Sequence, residues 1–371
     1  MSKLFPVWIL VCVLLCLSSS AAFKSQLLPA ARSGTLLSAS RLHPQDSKVL
    51  VVGLGALPLL TMKTAFFAGY KEVLYILPEV QHAKCAKLMF GDDYQMATDG
   101  DGYLVTPETS SEGFGANSCG GRLKFLDGSN SEDVASVEGC DGMIFCGDEP
   151  SPPVPWSVAE YLLDACGPSL KQVALNSKTF NEEGYGFVVK AARKTANKNI
   201  WDQDGKEVAA LKDFEGKVKG KGVEGGFDVT VTRSGTLKGG GWGSTDPLAD
   251  DVPSVGPEAY GLSDGFYEAV KRDIVNFNLL FDCETSDCYV MRGDVGRGGG
   301  NAQIVKANSV KEEAGDTGRK GAAGALVYAL ACEAAQGEFT VRSKAGERGP
   351  RGVAEWEKKF ADGSSDGYGE A

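Results

Sequence analysis

Histidine is scarce in this sequence of 371 residues, which contains only His43 and His82. The ten cysteines form no CxxC pair, so the familiar spacings of zinc ligands are missing. The sequence therefore predicts no metal site. Eight cysteines lie beyond residue 22, and most are expected to be small buried side chains. For Cys283 and Cys288, the alternative interpretation is a thiol switch between the two side chains.

The mature chain is also predicted to have no integral membrane segment. A helix that spans a bilayer needs about 20 apolar residues. The apolar stretch at residues 4–17 is shorter than that and is broken by Pro6. Because small residues follow at Ser20 and Ala22, residues 1–22 have the pattern of a signal peptide. A membrane anchor is the alternative interpretation.

Acidic residues are absent between residues 23 and 45, a segment that contains Lys24, Arg32, Arg41 and several serines. This composition is typical of an organelle transit peptide, so residues 23–47 are assigned to one. A signal peptide followed at once by Phe23 and a transit peptide resembles the bipartite presequence of algae with complex, secondary plastids. Import into the plastid (chloroplast) is therefore expected. Secretion is the alternative, and the cysteines would then be expected to pair.

Positive charge is in deficit, with 38 basic against 49 acidic residues. Without the first 47 residues, 34 basic and 48 acidic residues remain and the formal net charge is −14. A protein with this negative net charge repels phosphate backbones, so nucleic acids are not expected as partners. The chain is 43% hydrophobic and 23% charged, which is typical of a folded globular protein. Its 48 glycines and 15 prolines interrupt helices too often for a coiled coil.

What the sequence does contain is an alternation of apolar strand-like runs and helical patterns. The run at 48–52 enters a glycine turn, a helical segment reaches about residue 68, and a second strand follows at 72–77. This alternation predicts an α/β protein with a Rossmann-like doubly wound parallel sheet, helices on both faces and a small C-terminal substrate-side lobe. The domain is expected at 48–345, with an insertion at 91–121, a mobile connection at 202–226, and a C-terminal helix and disordered tail at 346–371.

The glycine turn after the first strand is the main candidate binding site. Gly53 and Gly55 suit a tight turn in which backbone N–H groups at the helix start approach a pyrophosphate. Pro58 replaces the third glycine of the GxGxxG pattern, and a first helical turn tolerates proline. A dinucleotide, NAD or NADP, is the expected ligand of Gly53, Leu54 and Gly55. A merely structural turn is the alternative.

The residue expected to contact the ribose of this ligand is Glu79, which follows the second strand and lies 21 residues beyond Pro58. A carboxylate there accepts from both ribose hydroxyls and repels a 2′-phosphate, so NAD is slightly favoured over NADP. A solvated loop glutamate is the alternative, and Lys84 and Lys87 lie close by in the sequence. Asp127 could accept from the adenine amino group, although it could equally serve turn chemistry.

The order of the motifs over residues 48–345 resembles the atypical short-chain dehydrogenase/reductase superfamily, especially its NmrA-like and plastid NAD(P)-binding branches. The motifs are the strand with GxG at 48–55, LDG at 126–128, CDGMI at 140–144, TRSGTL at 232–237 and GDTGR at 315–319. The resemblance implies cofactor contact by the first glycine turn, by Asp127 and Gly128, and by the backbone around Cys146 and Gly147. It also implies an NAD(P)-dependent oxidoreductase.

Active reductases of this kind commonly carry a tyrosine and, one helical turn later, a lysine that lowers the tyrosine pKa. Tyr267 and Lys271 have this spacing but come too late in the chain for the family order. In the expected place, Tyr185 and Lys190 are five residues apart and would not share a helix face. Ser177 could assist, but no catalytic set is identified. A non-catalytic scaffold, redox sensor or assembly factor for plastid protein complexes is therefore the alternative function.

Overall fold

The computed structural model describes residues 41–91, 94–106, 122–148, 151–180, 205–235, 237–239, 287–295, 317–344 and 349–363. Its strands are β1 (Lys48–Val52), β2 (Glu72–Ile76), β3 (Arg122–Leu126), β4 (Gly142–Phe145), β5 (Gln172–Lys178), β6 (Asp228–Ser234), β7 (Leu237–Lys238), β8 (Cys288–Arg292), β9 (Thr317–Gly318) and β10 (Gly337–Ser343). Its helices are α1 (Ala56–Phe67), α2 (His82–Phe90), α3 (Ser131–Ala135), α4 (Trp156–Cys166), α5 (Gly205–Gly225), α6 (Arg319–Ala329) and α7 (Gly352–Asp362). Short 3₁₀ turns lie at Pro44–Asp46, Glu79–Gln81 and Gly167–Ser169.

The main sheet has the strand order β3-β2-β1-β4-β5-β6-β10-β8. Its strands are parallel except β8, which runs antiparallel to β10 at the edge. In the centre of the sheet, Leu50 of β1 is in register with Leu74 of β2 on one side and with Met143 of β4 on the other. The order 3-2-1-4-5-6 is that of the dinucleotide-binding folds, so the predicted Rossmann-like sheet is confirmed.

Both faces of the sheet are covered. Val49 and Val51 of β1 face a core formed with α1, α2, α6 and α7, whereas Leu50 and Val52 face a core formed with α4 and α5. This alternation is the period-two burial expected of a strand that is covered on both sides. Within the described part of the chain, we find no helix with the length and apolar character needed to cross a membrane.

The C-terminal helix predicted within residues 346–371 is present as α7, which is part of the main core. Trp356 stacks on Tyr328 of α6 with ring centroids 5.7 Å apart. Phe360 meets Phe339 of β10 edge-on at 5.0 Å. Most of the residues between β7 and β8 and between β8 and β9, where a small C-terminal lobe would have to lie, are outside the described residues.

The prediction of a mobile connection at 202–226 is wrong, because Gly205–Gly225 forms the long helix α5. Its buried residues Leu211, Phe214 and Val218 fall three and four positions apart, which is helical spacing. Phe214 packs edge-on against Phe145 of β4 and Trp156 of α4. This packing outweighs the low helix propensity of the glycines in the segment, which costs about 1 kcal/mol for each.

The predicted insertion at 91–121 is described only at residues 91 and 94–106. Leu104 is buried there and forms isolated bridges with Thr98 and with Leu123 of β3. Its N–H donates to the Leu123 carbonyl at 2.6 Å. The described part of the insertion therefore extends the β3 edge of the sheet by a short backbone contact.

A network of ion pairs joins α5 to β6 and β10. Arg233 of β6 donates to both oxygens of Glu215, at 3.1 and 2.7 Å, and to Glu338 at 2.7 Å. Lys219 donates to Glu215 at 2.7 Å and also contacts Glu338. Arg233 and Glu215 are buried, so their charges are compensated within the protein. Ser177 of β5 donates to Glu215 at 3.0 Å.

Residues 41–47, assigned from sequence to the transit peptide, pack against the folded domain. Leu42 is 3% exposed, and its N–H donates to the Leu330 carbonyl at 3.1 Å. Gly142 makes room for it, since a Cβ there would lie 2.7 Å from Leu42 Cδ1. Pro44 accepts a hydrogen bond from the Lys71 N–H at 2.8 Å. Residues 42 and 44 are thus in contact with the folded domain.

We predict that Leu42→Ala lowers the free energy of unfolding by about 2–5 kcal/mol, because it empties a fully buried leucine site. A chain starting at residue 48 should be less stable than one starting at residue 41 for the same reason. Urea unfolding measures both effects. Val80→Ala is the control: its side chain is 90% exposed, and we expect a change within about 0.5 kcal/mol. A Leu42→Ala variant as stable as this control would contradict the packing of residue 42.

Glu338 should make the fold sensitive to acid. Burial alone would raise the pKa of Glu338, but hydrogen bonds from Lys219 and Arg233 outweigh it and hold that pKa below the ordinary value of 4.5. A carboxyl whose pKa is depressed by folding stabilises the protein above its unfolded pKa and loses this contribution as the pH falls through its folded pKa.

We therefore predict that Glu338→Gln unfolds with a shallower dependence on pH below about 4.5 than the wild type, as measured by urea unfolding across the acid range. At neutral pH the variant should be less stable, because Arg233 loses one of its two carboxylate partners. Glu224→Gln, which changes an exposed carboxylate on α5, is the matched control. Parallel pH profiles for Glu338→Gln and wild type would show that the prediction is wrong.

Candidate functional site

The glycine turn lies in the centre of the sheet. It follows β1, which is flanked by β2 and β4, and leads directly into α1. Gly53 and Gly55 have φ values of +138° and +127°, in the region that favours glycine. Beyond this point the strand order reverses, since β2 and β3 lie on one side of β1 and β4 and β5 on the other. Ligands of open α/β sheets bind at such switch points.

Close backbone packing accounts for Gly53. A Cβ at this position would lie 1.8 Å from the carbonyl oxygen of Cys146, which follows β4. Any side chain would force the ends of β1 and β4 apart. The predicted site residues Gly53 and Cys146 are thus brought together, through main-chain atoms.

A carboxylate occupies the space that Gly55 leaves open. A Cβ on Gly55 would lie 2.2 Å from Oδ2 of Asp148, two residues after Cys146. The Leu57 N–H at the start of α1 donates to Asp148 Oδ1 and Oδ2 at 3.3 and 3.2 Å. Gly55 is the N-cap of α1 and supplies no capping side chain, so Asp148 performs that role from the segment after β4. A negative charge is favourable there because it faces the positive end of the helix dipole.

The charge of Asp148 is balanced by Arg319, the first residue of α6. Arg319 Nε donates to Asp148 Oδ1 at 2.6 Å, and the two side chains are 0% and 2% exposed. Arg319 Nη1 also donates to the Gly239 carbonyl at 3.1 Å. The start of α6 and the segment after β7 are thereby fastened to the glycine turn. Neither Asp148 nor Arg319 is among the site residues that the sequence predicts.

The remaining predicted residue of the turn, Leu54, is half-buried and packs against the core. Glu79 is exposed and begins the short 3₁₀ turn after β2. Lys84 and Lys87 are exposed on the following helix, α2. A carboxylate at position 79 is therefore available to a ligand at the carboxyl end of β2.

Asp127 forms a turn of its own after β3. Its carboxylate accepts from the Ser129 N–H at 2.9 Å and from the Ser129 hydroxyl at 2.8 Å. Its own N–H donates to Asp133 at 2.8 Å. The side chain of Asp127 is half-buried. At Gly128, a Cβ would lie 3.3 Å from Ile76 Cγ2 of β2. Both predicted residues thus contribute to the local structure of this turn.

Cys146 and Gly147 follow β4 and line the same end of the sheet. The Cys146 thiol donates to the Thr61 hydroxyl of α1 at 3.8 Å. Burial raises the pKa of this thiol far above its ordinary value, so Cys146 is no thiolate nucleophile near neutral pH. The Gly147 carbonyl accepts from the Asn176 side chain at 3.4 Å.

The candidates for the chemical step are Ser177 and two pairs of a tyrosine and a lysine. Ser177 is 2% exposed, and its hydroxyl is bonded to Glu215. The tyrosine and lysine candidates Tyr185, Lys190, Tyr267 and Lys271 lie outside the described residues.

The cysteine pair raised as a thiol switch is described at one member only. Cys288 begins β8 and is buried, and burial raises its pKa to about 12, while Cys283 lies outside the described residues. In the part of the chain that the structure describes, no three His, Cys, Asp or Glu side chains are grouped so that they could hold a metal ion.

The start of α1 has some features that suit a diphosphate and others that oppose it. The turn has the position and the glycines that a pyrophosphate requires. However, the Leu57 N–H is bonded to Asp148, and Pro58 has no N–H to offer. The glycines of a diphosphate-binding turn are therefore present, and the Asp148 carboxylate accepts from the Leu57 N–H at the helix start.

Comparison with known proteins gives matches among solved structures only: no protein-family model and no curated protein matches the chain. One match is vestitone reductase from alfalfa (Medicago sativa L.), at 15% identity over 80% of this chain and 78% of that chain, with a TM-score of 0.38. Another is yeast methylglyoxal/isovaleraldehyde reductase Gre2 complexed with NADPH, at 12% identity, 80% and 75% coverage and a TM-score of 0.39. Gre2 from Candida albicans in complex with NADPH has 10% identity, 80% and 78% coverage and a TM-score of 0.42. The assignment of the Rossmann-like fold rests on the strand order of this chain.

Proposed function

We propose that this chain is a plastid NAD(P)-binding protein that acts as an oxidoreductase of the atypical short-chain dehydrogenase/reductase type. The observation that carries the proposal is the glycine turn at the switch point of the sheet. Gly53 and Gly55 follow the central strand β1, and Cys146, Gly147 and Asp148 follow its neighbour β4. A crevice at the carboxyl ends of two such strands is where open α/β sheets bind nucleotides.

The neighbouring strands supply the groups that an adenosine moiety would need. Because β1, β2 and β3 are parallel neighbours, their carboxyl ends lie at one edge of the sheet. Glu79 follows β2 and can accept from both ribose hydroxyls, which favours NAD over NADP. Asp127 follows β3, and its carboxylate retains acceptor capacity beside its bonds to Ser129 for an adenine amino group.

A second candidate function is a non-catalytic scaffold, redox sensor or assembly factor for plastid protein complexes. It is favoured by the bonds of Asp148 at the helix start and of Ser177 to Glu215, since both groups are engaged within the protein. A scaffold needs neither a free helix start nor a free serine. Recovery of a stable protein partner from plastid extract, with no cofactor binding, would favour this function.

Cofactor binding is tested by thermal unfolding of the purified chain with NAD or NADP. A ligand that binds only the folded state raises its stability by RT ln(1 + [L]/Kd), about 2.7 kcal/mol at 100 times Kd. We expect the larger rise with NAD. Glu79→Gln should weaken NAD binding and improve the relative affinity for NADP, because it removes the charge that repels a 2′-phosphate. Glu138→Gln, an exposed change just before β4, should behave like wild type. Unchanged melting with both cofactors at millimolar concentration would refute dinucleotide binding.

The proposed location depends on the first 47 residues. We expect this segment, fused to a fluorescent protein, to deliver it to the plastid of a cell with a complex plastid. A fusion that lacks residues 1–22 should remain in the cytosol, because the signal peptide is needed for the first membrane. Secretion of the full fusion would contradict the plastid assignment.

A further inference from the structure

We propose that Asp148 is an internal anion that occupies the diphosphate position at the start of α1, so that an anionic ligand binds there only by displacing this carboxylate. The proposal deepens the proposed function, on which its dinucleotide part rests. In this proposal Asp148 is an autoinhibitory residue. Arg319 is the cation that would pair with the ligand once the carboxylate has been displaced.

The hydrogen-bond donors of the helix start support this assignment. A phosphate at a helix N-terminus is bound by the free N–H groups of the first turn. In α1 the first turn contains Ala56, Leu57 and Pro58. Pro58 has no N–H, and the Leu57 N–H already donates to both oxygens of Asp148. A diphosphate that needs the Leu57 donor must therefore compete with the protein's own carboxylate.

The volume beside Gly55 also indicates competition between a phosphate and Asp148. Gly55 has the position of the glycine that, in dinucleotide-binding folds, allows the backbone to approach the pyrophosphate. Here the volume beside its Cα is filled by Asp148, because Oδ2 lies 2.2 Å from where a Cβ would be. The carboxylate and a phosphate cannot occupy this volume together.

Charge explains how an exchange could occur. Arg319 is fully buried, and Asp148 Oδ1 is 2.6 Å from its Nε. A buried guanidinium that loses its counter-ion is strongly unfavourable. A phosphate oxygen in place of the carboxylate would accept from Leu57 N–H and from Arg319, which is a geometry that guanidinium groups readily provide for phosphate. One anion would thus replace another without leaving Arg319 uncompensated.

The test compares wild type with Asp148→Ala in the full chain, with inorganic pyrophosphate as the probe. Calorimetric titration should show pyrophosphate binding to Asp148→Ala at least about tenfold more tightly than to wild type. The melting temperature of the variant should rise with pyrophosphate, because the ligand replaces the missing counter-ion of Arg319. If Asp148→Ala does not fold by itself, pyrophosphate added during refolding should restore the folded state.

Two variants serve as controls. Asp141→Ala changes a carboxylate at the opposite end of β4, where it accepts from Lys171 at 2.7 Å and from the Lys48 N–H at 3.0 Å. It should gain no pyrophosphate affinity. The double variant Asp148→Ala/Arg319→Met lacks both charges and should lose the gain seen in Asp148→Ala, because the cation that holds the anion is gone.

Parallel titrations with NAD and NADP separate the inference from the proposed function. Tighter pyrophosphate binding to Asp148→Ala with no dinucleotide binding to any variant would support the internal anion and refute the proposed function. Equal dinucleotide affinity of wild type and Asp148→Ala would overturn the internal anion and leave the proposed function in place. Equal pyrophosphate affinity of the two proteins would also overturn it.

Discussion

The contact between Asp148 and Arg319 at the start of α1 is the interaction on which the centre of this protein depends. It joins segments far apart in the chain: the turn after β1, the end of β4 and the start of α6. Gly53 and Gly55 are required because the end of β4 approaches the turn so closely. The same glycines that define a nucleotide-binding turn therefore also admit a carboxylate of the protein.

The start of the first helix in this protein differs from that of a typical dinucleotide-binding fold. In a dinucleotide fold, the positive end of the first helix attracts a phosphate. In this chain the same field is neutralised internally by Asp148, which is in turn neutralised by Arg319. A buried ion pair adds little net stability compared with apolar residues, yet it strongly penalises any state that breaks one partner away. The pair therefore stabilises the turn with Asp148 in place. A ligand that displaces this carboxylate must itself be an anion.

The sequence carried enough information for a doubly wound parallel sheet but not for this contact. Apolar runs such as 48–52 and 72–77 have a local signature, and the sheet follows from their alternation with helices. Asp148 and Arg319 are separated by 171 positions and have no local signature of pairing. The helix α5 was missed because its charges and glycines outnumber the few apolar residues that pack. Composition also cannot reveal that Leu42 packs beside Gly142.

A double-mutant cycle on the buried pair tests the central claim most directly. Urea unfolding of wild type, Asp148→Asn, Arg319→Gln and the double variant yields the coupling free energy between the two side chains. The account predicts that each single change is strongly destabilising and that the double variant is much less so than their sum, with a coupling of at least about 1.5 kcal/mol. Free-energy changes that add to within about 0.5 kcal/mol would show that the two residues act independently and would contradict the account.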